Sequence, residues 1–245
     1  NFSLAFQRKA TLKYFHEFPN AISITPQLHY RNYYSRLHYK DKEITQLIQT
    51  PIQYIIAEGN LAWQPERKKA RKIPVNFQGK LYSLPTKISL TYSYNIPLSN
   101  VERKYQEILL TSQRRIYLTN NIALDLRLTG GKIFGSTNPY LLLTPNMTNS
   151  LVSSIYGFNL LQYGRTTYHK QYLQTFAQLN LALKQIRPTL FLYHKSLYGQ
   201  YLPYHEIGIG VDNIFNTLGV EIIRSFSFEK ETFPGMWGIR VRLKS

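Results

Sequence analysis

The densest group of chemically active side chains in the sequence is a basic run from Glu66 to Lys72. Five of its seven residues are cations: Arg67, Lys68, Lys69, Arg71 and Lys72. Guanidinium and ammonium groups concentrated in this way attract phosphate oxygens. The run therefore predicts a loop that binds phosphate, on lipid A if the loop lies outside a cell or on nucleic acid if the protein is soluble. The alternative is a solvated basic loop that only opposes aggregation.

Residue types that support catalysis or metal binding are few and widely spaced. The six histidines form no HExxH pair, and Asp41, Asp125 and Asp212 are the only aspartates. The sequence also contains no GxSxG, P-loop or GxGxxG motif, and the absence of cysteine removes thiolate chemistry and zinc-thiolate sites. We therefore expect a non-enzymatic protein with no cofactor and no metal.

Composition excludes a disordered basic tail and a membrane-spanning helix. Among the 245 residues, 30 Lys and Arg against 13 Asp and Glu give a net charge of +17, yet 43% are hydrophobic and only 18% are charged. A chain this apolar is expected to pack or to enter a membrane. No uninterrupted apolar stretch reaches the length of about 18 residues that a transmembrane helix needs.

Several cations alternate with apolar residues in a period of two. The segment 236–244 turns its apolar side chains to one face of an extended chain and its cations to the other. The pattern repeats at 122–129. In these two segments the cations on the face opposite the apolar side chains are Arg127, Arg240, Arg242 and Lys244. In a barrel they would face the lumen, where they would favour anions if the lumen is open. The alternative is that these cations only hydrate the interior. A lumen of about twelve strands is also narrow enough to be filled by side chains.

The same alternation recurs along the whole chain and predicts an all-β fold. About twelve strands are expected, near residues 2–10, 21–34, 54–64, 87–96, 105–118, 121–130, 154–165, 171–184, 188–197, 204–212, 219–229 and 236–244. Strands of about 9–11 residues suffice to cross a bilayer when they close into an antiparallel barrel. We therefore predict an antiparallel transmembrane β-barrel of roughly twelve strands, with residues 1–245 as a single domain.

Five segments carry a family resemblance. They are Leu128–Gly135, Asn138–Leu143, Phe158–Tyr163, Pro203–Phe215 and Trp237–Leu243. Together they resemble the C-terminal barrel of an uncharacterised family of large outer-membrane proteins of Bacteroidota, which carry an N-terminal carboxypeptidase-regulatory-like domain. The resemblance implies a barrel in the bacterial outer membrane and no catalytic residues. Family members also carry a periplasmic domain before the barrel, and we expect residues 1–245 to lack it.

Two groups of glycines lie at the end of a predicted strand or within one. Gly130, Gly131 and Gly135 are expected where a strand leaves the sheet. Gly208 and Gly210 share the predicted inward side of their strand with Glu206 and Asp212, so they would leave room for a plug or a bulky neighbour. The alternative is plain backbone relief at a curved part of the barrel.

Three functions follow, in order of preference. The first is a structural or accessory subunit of an envelope assembly or export complex, in contact with outer-membrane lipid, lipopolysaccharide and other outer-membrane proteins, with no nucleic acid expected. The second is an anion-favouring transport pore, and the third is a soluble basic β-protein that binds nucleic acid. Counting strands back from a periplasmic C-terminus places residues 65–86 outside the cell and the connection 131–153 in the periplasm.

Overall fold

The computed structural model describes residues 5–35, 52–67, 72–77, 85–98, 104–135, 147–148, 158–159, 170–182, 188–199, 203–215, 218–227 and 235–243. These residues form β-strands, turns and two short 3-10 helices, Pro65–Arg67 and Val75–Phe77. The all-β prediction is confirmed. Within the described ranges, no helix is long and apolar enough to cross a membrane.

Of the fourteen strands in the described residues, eleven have 8–14 residues and three have two residues each. They are β1 (Ala5–Lys13), β2 (His16–Glu17), β3 (Ile22–Ser35), β4 (Ile52–Trp63), β5 (Lys87–Pro97), β6 (Tyr105–Tyr117), β7 (Ile122–Gly135), β8 (Met147–Thr148), β9 (Phe158–Asn159), β10 (Gln171–Ala182), β11 (Thr189–Gly199), β12 (Tyr204–Ile214), β13 (Leu218–Phe226) and β14 (Met236–Leu243).

Twelve of these strands make one antiparallel sheet. Its order is β1-β3-β4-β5-β6-β7-β10-β11-β12-β13-β14, and β2 adds to β3 beside this path. Each long strand therefore pairs with its neighbour in sequence among the long strands. In the described part of the chain, β1 and β14 form the two edges of the sheet, and no pairing joins them.

The strand predicted at 154–165 does not take its expected place in this sheet. Its described residues, Phe158–Asn159, pair in parallel with β8 in a separate two-stranded sheet, and the rest lies outside the described residues. β7 pairs directly with β10 instead, from Ile122 opposite Leu181 to Lys132 opposite Gln171. The aliphatic faces of these two strands match each other, so their register leaves no position for a strand between them.

Side chains alternate between the two faces of the main sheet. The inner face carries buried polar and charged residues, among them Arg115, Asp125, Asn180, Lys195, Glu206, Glu221 and Arg240. The outer face carries exposed apolar residues, among them Leu28, Leu61, Leu90, Leu126, Leu179, Leu192, Ile209, Ile222 and Ile239. A one-sided sheet in water has the opposite distribution, with its apolar face buried and its polar face wet.

The sheet curves toward its inner face. Arg240 on β14 donates a hydrogen bond to Tyr193 on β11, three strands away in the sheet order. Phe176 on β10 and Phe191 on β11 stack against the same tyrosine ring and form an aromatic cluster with it. Strands of one sheet thereby bury their own polar face.

Antiparallel pairing sends successive connections to alternate ends of the sheet. At one end, called the turn end, strands are joined through residues 14–21, 64–86, 118–121, 183–188 and 215–217. At the opposite end, called the long-connection end, they are joined through residues 36–51, 98–104, 136–170, 200–203 and 227–235. The longest connection therefore lies at the end opposite to residues 64–86.

Candidate functional site

The inner face is the candidate functional site, and its charged residues are arranged as direct cross-strand pairs. Lys195 on β11 lies opposite Glu206 on β12, with 3.9 Å between Nζ and Oε2. Both side chains are fully buried. Tyr204 completes this group, since its hydroxyl donates a 2.9 Å hydrogen bond to Glu206 Oε1. Burial of an ammonium group and a carboxylate is tolerable only because each lies beside the other.

A second pair joins the last two strands. Arg240 on β14 lies opposite Glu221 on β13, and its Nε donates to Glu221 Oε1. The same guanidinium reaches across the interior, where Nη2 donates to the Tyr193 hydroxyl at 3.0 Å. The ammonium group of Lys195 lies 4.6 Å from the centre of the Tyr193 ring. Tyr193 thus connects the two ion pairs, and its ring makes cation–π contact with one of them.

Gly208 and Gly210 make room for this arrangement. A Cβ atom at Gly208 would lie 2.3 Å from Tyr193 Cζ, and one at Gly210 would lie 2.3 Å from the backbone oxygen of Val220. Phe191 Cζ would be 2.7 Å from the same added atom at Gly210. The bulky neighbours for which the sequence leaves room are therefore Tyr193 and Phe191.

A third ion pair lies on the hairpin of β6 and β7. Arg115 faces Asp125 in direct register and binds it through two hydrogen bonds, Nε to Oδ1 at 2.5 Å and Nη2 to Oδ2 at 2.7 Å. Asn180 on β10 donates to the same carboxylate at 3.1 Å, and Gln178 donates to Asn180 at 2.6 Å. This is the bidentate geometry that makes arginine–carboxylate pairs strong and specific.

The interior between β3 and β5 is polar but less tightly paired. Glu58 on β4 accepts hydrogen bonds from Gln27 at 3.2 Å and from Ser93 at 3.5 Å. His29 Nε2 lies 3.6 Å from the same carboxylate, and its Nδ1 is 2.9 Å from the Thr11 hydroxyl. Neutral donors therefore supply most of the contacts of Glu58, in contrast to the arginine that binds Asp125.

The predicted basic lumen has a different charge balance from the one expected. Arg240 does face inward, but Glu221 neutralises it, and Arg127 lies on the inner face two residues from the paired Asp125. Only the position of Arg242 within β14 is described, and Lys244 lies outside the described residues. Among the described inner-face residues, the buried cations Arg115, Lys195 and Arg240 each have a carboxylate partner, which offsets the positive charge that would favour anions.

The described residues of the basic run, Glu66, Arg67 and Lys72, lie in the connection at the turn end of the sheet. Arg67 Nη1 is 3.2 Å from Glu17 Oε2, and its guanidinium lies 5.7 Å from the Phe15 ring centre. Glu66 accepts a 3.0 Å hydrogen bond from the Thr86 backbone amide, and Lys72 is exposed. Lys68, Lys69 and Arg71 lie outside the described residues. The described part of the run therefore contacts the neighbouring connection 14–21 through Arg67 and the end of its own connection through Glu66.

Phe77, in the connection 64–86, packs over the interior at the turn end. Phe77 is buried against Ala123 and Ala182, two small inner-face residues at the ends of β7 and β10. Its ring centre lies 5.4 Å from that of Tyr117, and Asn76 donates a hydrogen bond to Asn121 in the neighbouring turn. The connection 64–86 thus places an aromatic side chain across this end of the inner face.

The glycines expected at a strand exit divide into two kinds. Gly130 and Gly131 lie within β7 and are paired on both sides, so the expectation of a strand end there is wrong. Gly135 is the last residue of β7 and has φ of +97°, a backbone conformation that glycine adopts without strain. β7 continues past Gly131 because β6 and β10 both extend far enough to pair with it.

The buried ion pairs were not predicted from the sequence. Glu206 was expected on the inward side of its strand, but it was paired with no cation, and Lys195, Glu221 and Arg115 were given no role, although each has the inward parity of its strand. The signal that would find them is opposite charge at positions that become cross-strand neighbours once the register is known. Among the described residues, no group of three or more His, Cys, Asp or Glu is placed to hold a metal ion.

Comparison of the chain with protein-family models and with curated proteins finds no match. The resemblance to the Bacteroidota outer-membrane family therefore stays a prediction from the motifs.

Proposed function

We propose that this protein is a β-barrel of the bacterial outer membrane with a filled interior, and that it acts as a structural or accessory subunit of an envelope assembly or export complex. The observation that carries the proposal is the reversed burial of the sheet, with charged residues such as Lys195 inside and Ile209, 60% exposed, outside. In lipid this distribution is favourable, because the apolar side chains contact acyl chains and the polar ones contact each other.

The packing of the interior favours a structural role over conduction. Tyr193 and Phe191 occupy the space that Gly208 and Gly210 leave free, and Phe176 stacks against Tyr193. Ion pairs lie beside this aromatic cluster. Phe77 lies across the inner face at the turn end. A small barrel filled by side chains has no aqueous channel.

The lengths of the connections favour one orientation. Outer-membrane barrels have short periplasmic turns and longer extracellular loops. The long-connection end would then face outward, and residues 65–86 would lie on the periplasmic side. For residues 65–86 this placement is the reverse of the one expected from counting strands back from a periplasmic C-terminus, because that count included a strand at 154–165. The C-terminus is periplasmic in both. This orientation also removes the long periplasmic connection at 131–153, which would be atypical.

A soluble nucleic-acid-binding protein fits the described residues less well. A soluble fold would need a second layer over the aliphatic outer face, and the described chain offers only the small β8–β9 sheet besides the main one. In the described part of the basic run, Arg67 pairs with Glu17 of the neighbouring connection 14–21.

The experiment that tests the proposal is electrophoretic migration with and without boiling, combined with flotation of the protein on lipid vesicles. A closed barrel should migrate differently in the unboiled lane and should float with the vesicles. A single unshifted band, together with full solubility in detergent-free buffer, would contradict the membrane assignment.

Two further measurements separate the roles of a membrane barrel. Reconstitution in a planar bilayer should give no steady open channel, and a stable anion-selective conductance would favour the pore. Extraction in mild detergent should recover the protein with other outer-membrane proteins. Recovery as a lone monomer under the same conditions would remove support for the complex.

A further inference from the structure

A polar cluster interrupts the aliphatic outer face on β11 and β12. Ser196 Oγ is 2.9 Å from His205 Nδ1 and 3.3 Å from His194 Nε2, and these two ring nitrogens are 3.3 Å apart. The rings of Phe226 and Tyr198 pack against His205. The outer-face residues of β11 nearer the turn end are Leu190 and Leu192. Titratable groups on a lipid-facing surface are rare and usually functional.

An exposed arginine lies in the same row of the sheet. Cross-strand register aligns His194, Ile207, Arg224 and Trp237 on four successive strands. The guanidinium of Arg224 is 5.3 Å from the Trp237 ring centre. Among the described residues, no carboxylate lies within ion-pair distance of it. Arg224 is two residues from the end of β13, at the long-connection end, where a headgroup phosphate could reach it.

A groove of about 490 Å³ leads away from the histidines along the outer face. Its lining includes His194 at one side, then Thr175, Ala177, Leu126 and Leu128. Ala177 lies directly opposite His194 in register, and its small side chain leaves the depression open. Further along, the lining includes Trp63, Ile88 and Ile116 together with the polar residues Thr86, Ser112, Gln113, Arg114 and Arg127. Its aliphatic part, from Ala177 to Ile116, offers an apolar wall that suits an acyl chain.

These three features follow the order of parts in a phospholipid. Arg224 on its tryptophan offers a cation for a phosphate, the Ser196–His194–His205 cluster offers hydrogen bonds at the depth of ester groups, and the groove offers an apolar wall for a chain. The row runs obliquely between the two ends of the sheet. Arg224 is near the long-connection end of β13, and Leu126 is near the turn end of β7. A lipid that enters from the long-connection end would meet Arg224 first, then the Ser196–His194–His205 cluster and then the groove.

We propose that the outer face of β7 and β10–β14 binds one phosphate-bearing membrane lipid, with its phosphate on Arg224 and an acyl chain in the groove beside Ala177. The inference rests on the proposed membrane barrel. It concerns a different site from the basic run at 66–72, which lies at the opposite end of the sheet. Charge complementarity selects the ligand, since a free cation near headgroup depth attracts an anionic phosphate.

The test is native mass spectrometry of the detergent-purified protein with dioleoylphosphatidylglycerol. A one-to-one adduct is expected, and Arg224→Leu should weaken it by about tenfold because a charge-assisted contact to phosphate is lost. Lys132→Leu is the matched control, since Lys132 is also an outer-face cation over an aromatic ring, 5.2 Å from Phe134, but lies away from the groove. The control should bind as the parent does.

A second variant and two simpler ligands locate the parts of the site. Ala177→Phe should fill the groove and weaken lipid binding without changing any charge, and its outward position should leave the fold intact. Dioleoylglycerol lacks the phosphate and inorganic phosphate lacks the chains, so each should compete poorly with the intact lipid. Free phosphate competing as well as the lipid would overturn the proposal.

Two outcomes separate failure of this inference from failure of the membrane assignment. If the protein floats with vesicles and shifts on heating, but Arg224→Leu and Lys132→Leu bind the lipid equally, the lipid site is wrong and the barrel stands. If the protein neither floats nor shifts, the proposed function fails first, and the lipid site fails with it.

Discussion

Two adjacent arginines on β6 face opposite sides of the same sheet, and their surroundings differ completely. Arg115 is buried on the inner face and is bound by both oxygens of Asp125. Arg114 is exposed on the outer face, in register with Leu126. It lies three residues from the end of β6, at the turn end, which in the proposed membrane barrel would be near the lipid headgroups.

This contrast extends to the two faces as a whole. The inner-face cations Arg115, Lys195 and Arg240 contact carboxylates on neighbouring strands. The outer-face cations Arg224 and Lys132 lie over aromatic rings near strand ends. A charge inside a filled sheet is stabilised by a partner of fixed geometry. A charge on a lipid-facing surface is stabilised by its depth, since the cost falls toward the interface. The following changes test this difference, from the largest expected effect to the smallest.

Removal of the buried guanidinium should have the largest effect. Arg115→Met leaves the Asp125 carboxylate without its cation and should lower the free energy of unfolding by about 3–5 kcal/mol. The measurement is a denaturant titration of the protein folded in lipid vesicles. Arg114→Met, one residue away on the outer face, should change the same free energy by less than about 1 kcal/mol. Equal effects of the two changes would contradict the assignment of the faces.

Introduction of a charge on the outer face should cost slightly less. Ile209 is exposed at the centre of β12, and Ile209→Arg should destabilise the membrane-folded protein by about 2–4 kcal/mol. Ile209→Leu is the control and should be nearly neutral. In a water-soluble sheet an exposed arginine at this position would be tolerated, so a neutral Ile209→Arg would count against a lipid-facing surface.

Addition of one methyl group inside should have an intermediate effect. The new Cβ of Gly210→Ala would press on the Val220 backbone oxygen and on Phe191, and we expect a loss of about 1–3 kcal/mol. Gly59→Ala is the matched control, because no atom lies within 4 Å of a Cβ there. Thermal or denaturant unfolding of both variants checks the prediction, and an unaffected Gly210→Ala would mean that the interior is looser than described.

Loss of the exposed pair at the turn end should have the smallest effect. Arg67→Ala breaks the contact with Glu17, in which the arginine is about half exposed, and should change stability by less than about 1 kcal/mol. The same titration measures it. A loss comparable to that of Arg115→Met would show that the turn is part of the stabilising core.

The strands could be predicted because a half-buried sheet imposes a period of two. The expected strand at 204–212 corresponds to Tyr204–Ile214, and the one at 171–184 corresponds to Gln171–Ala182. The expected place of the strand at 154–165 in the main sheet is wrong, because alternation is a local signal, whereas membership of the sheet depends on the pairing of β7 with β10. Sequence alone does not reveal that pairing.

The interior site was harder to predict than the fold. Arg240 was expected to face inward, and it does, but its neutralisation by Glu221 depends on the register of β13 and β14. The pair of Arg115 and Asp125 is more accessible to prediction, since a short turn at 118–121 fixes their hairpin, with Thr119 Oγ1 accepting from the Asn121 and Ile122 amides. The cluster of Ser196 with two histidines requires both strand parity and cross-strand register.

The most direct test of the lipid-facing outer surface uses the two tryptophans of the chain. Trp63 ends β4 at the turn end and Trp237 lies in β14 at the long-connection end, and both are exposed on the outer face. In vesicles, brominated lipids should quench the fluorescence of the Trp63→Phe and Trp237→Phe variants, and aqueous iodide should quench it little. Strong quenching by iodide with none by brominated lipid would contradict the membrane-embedded sheet.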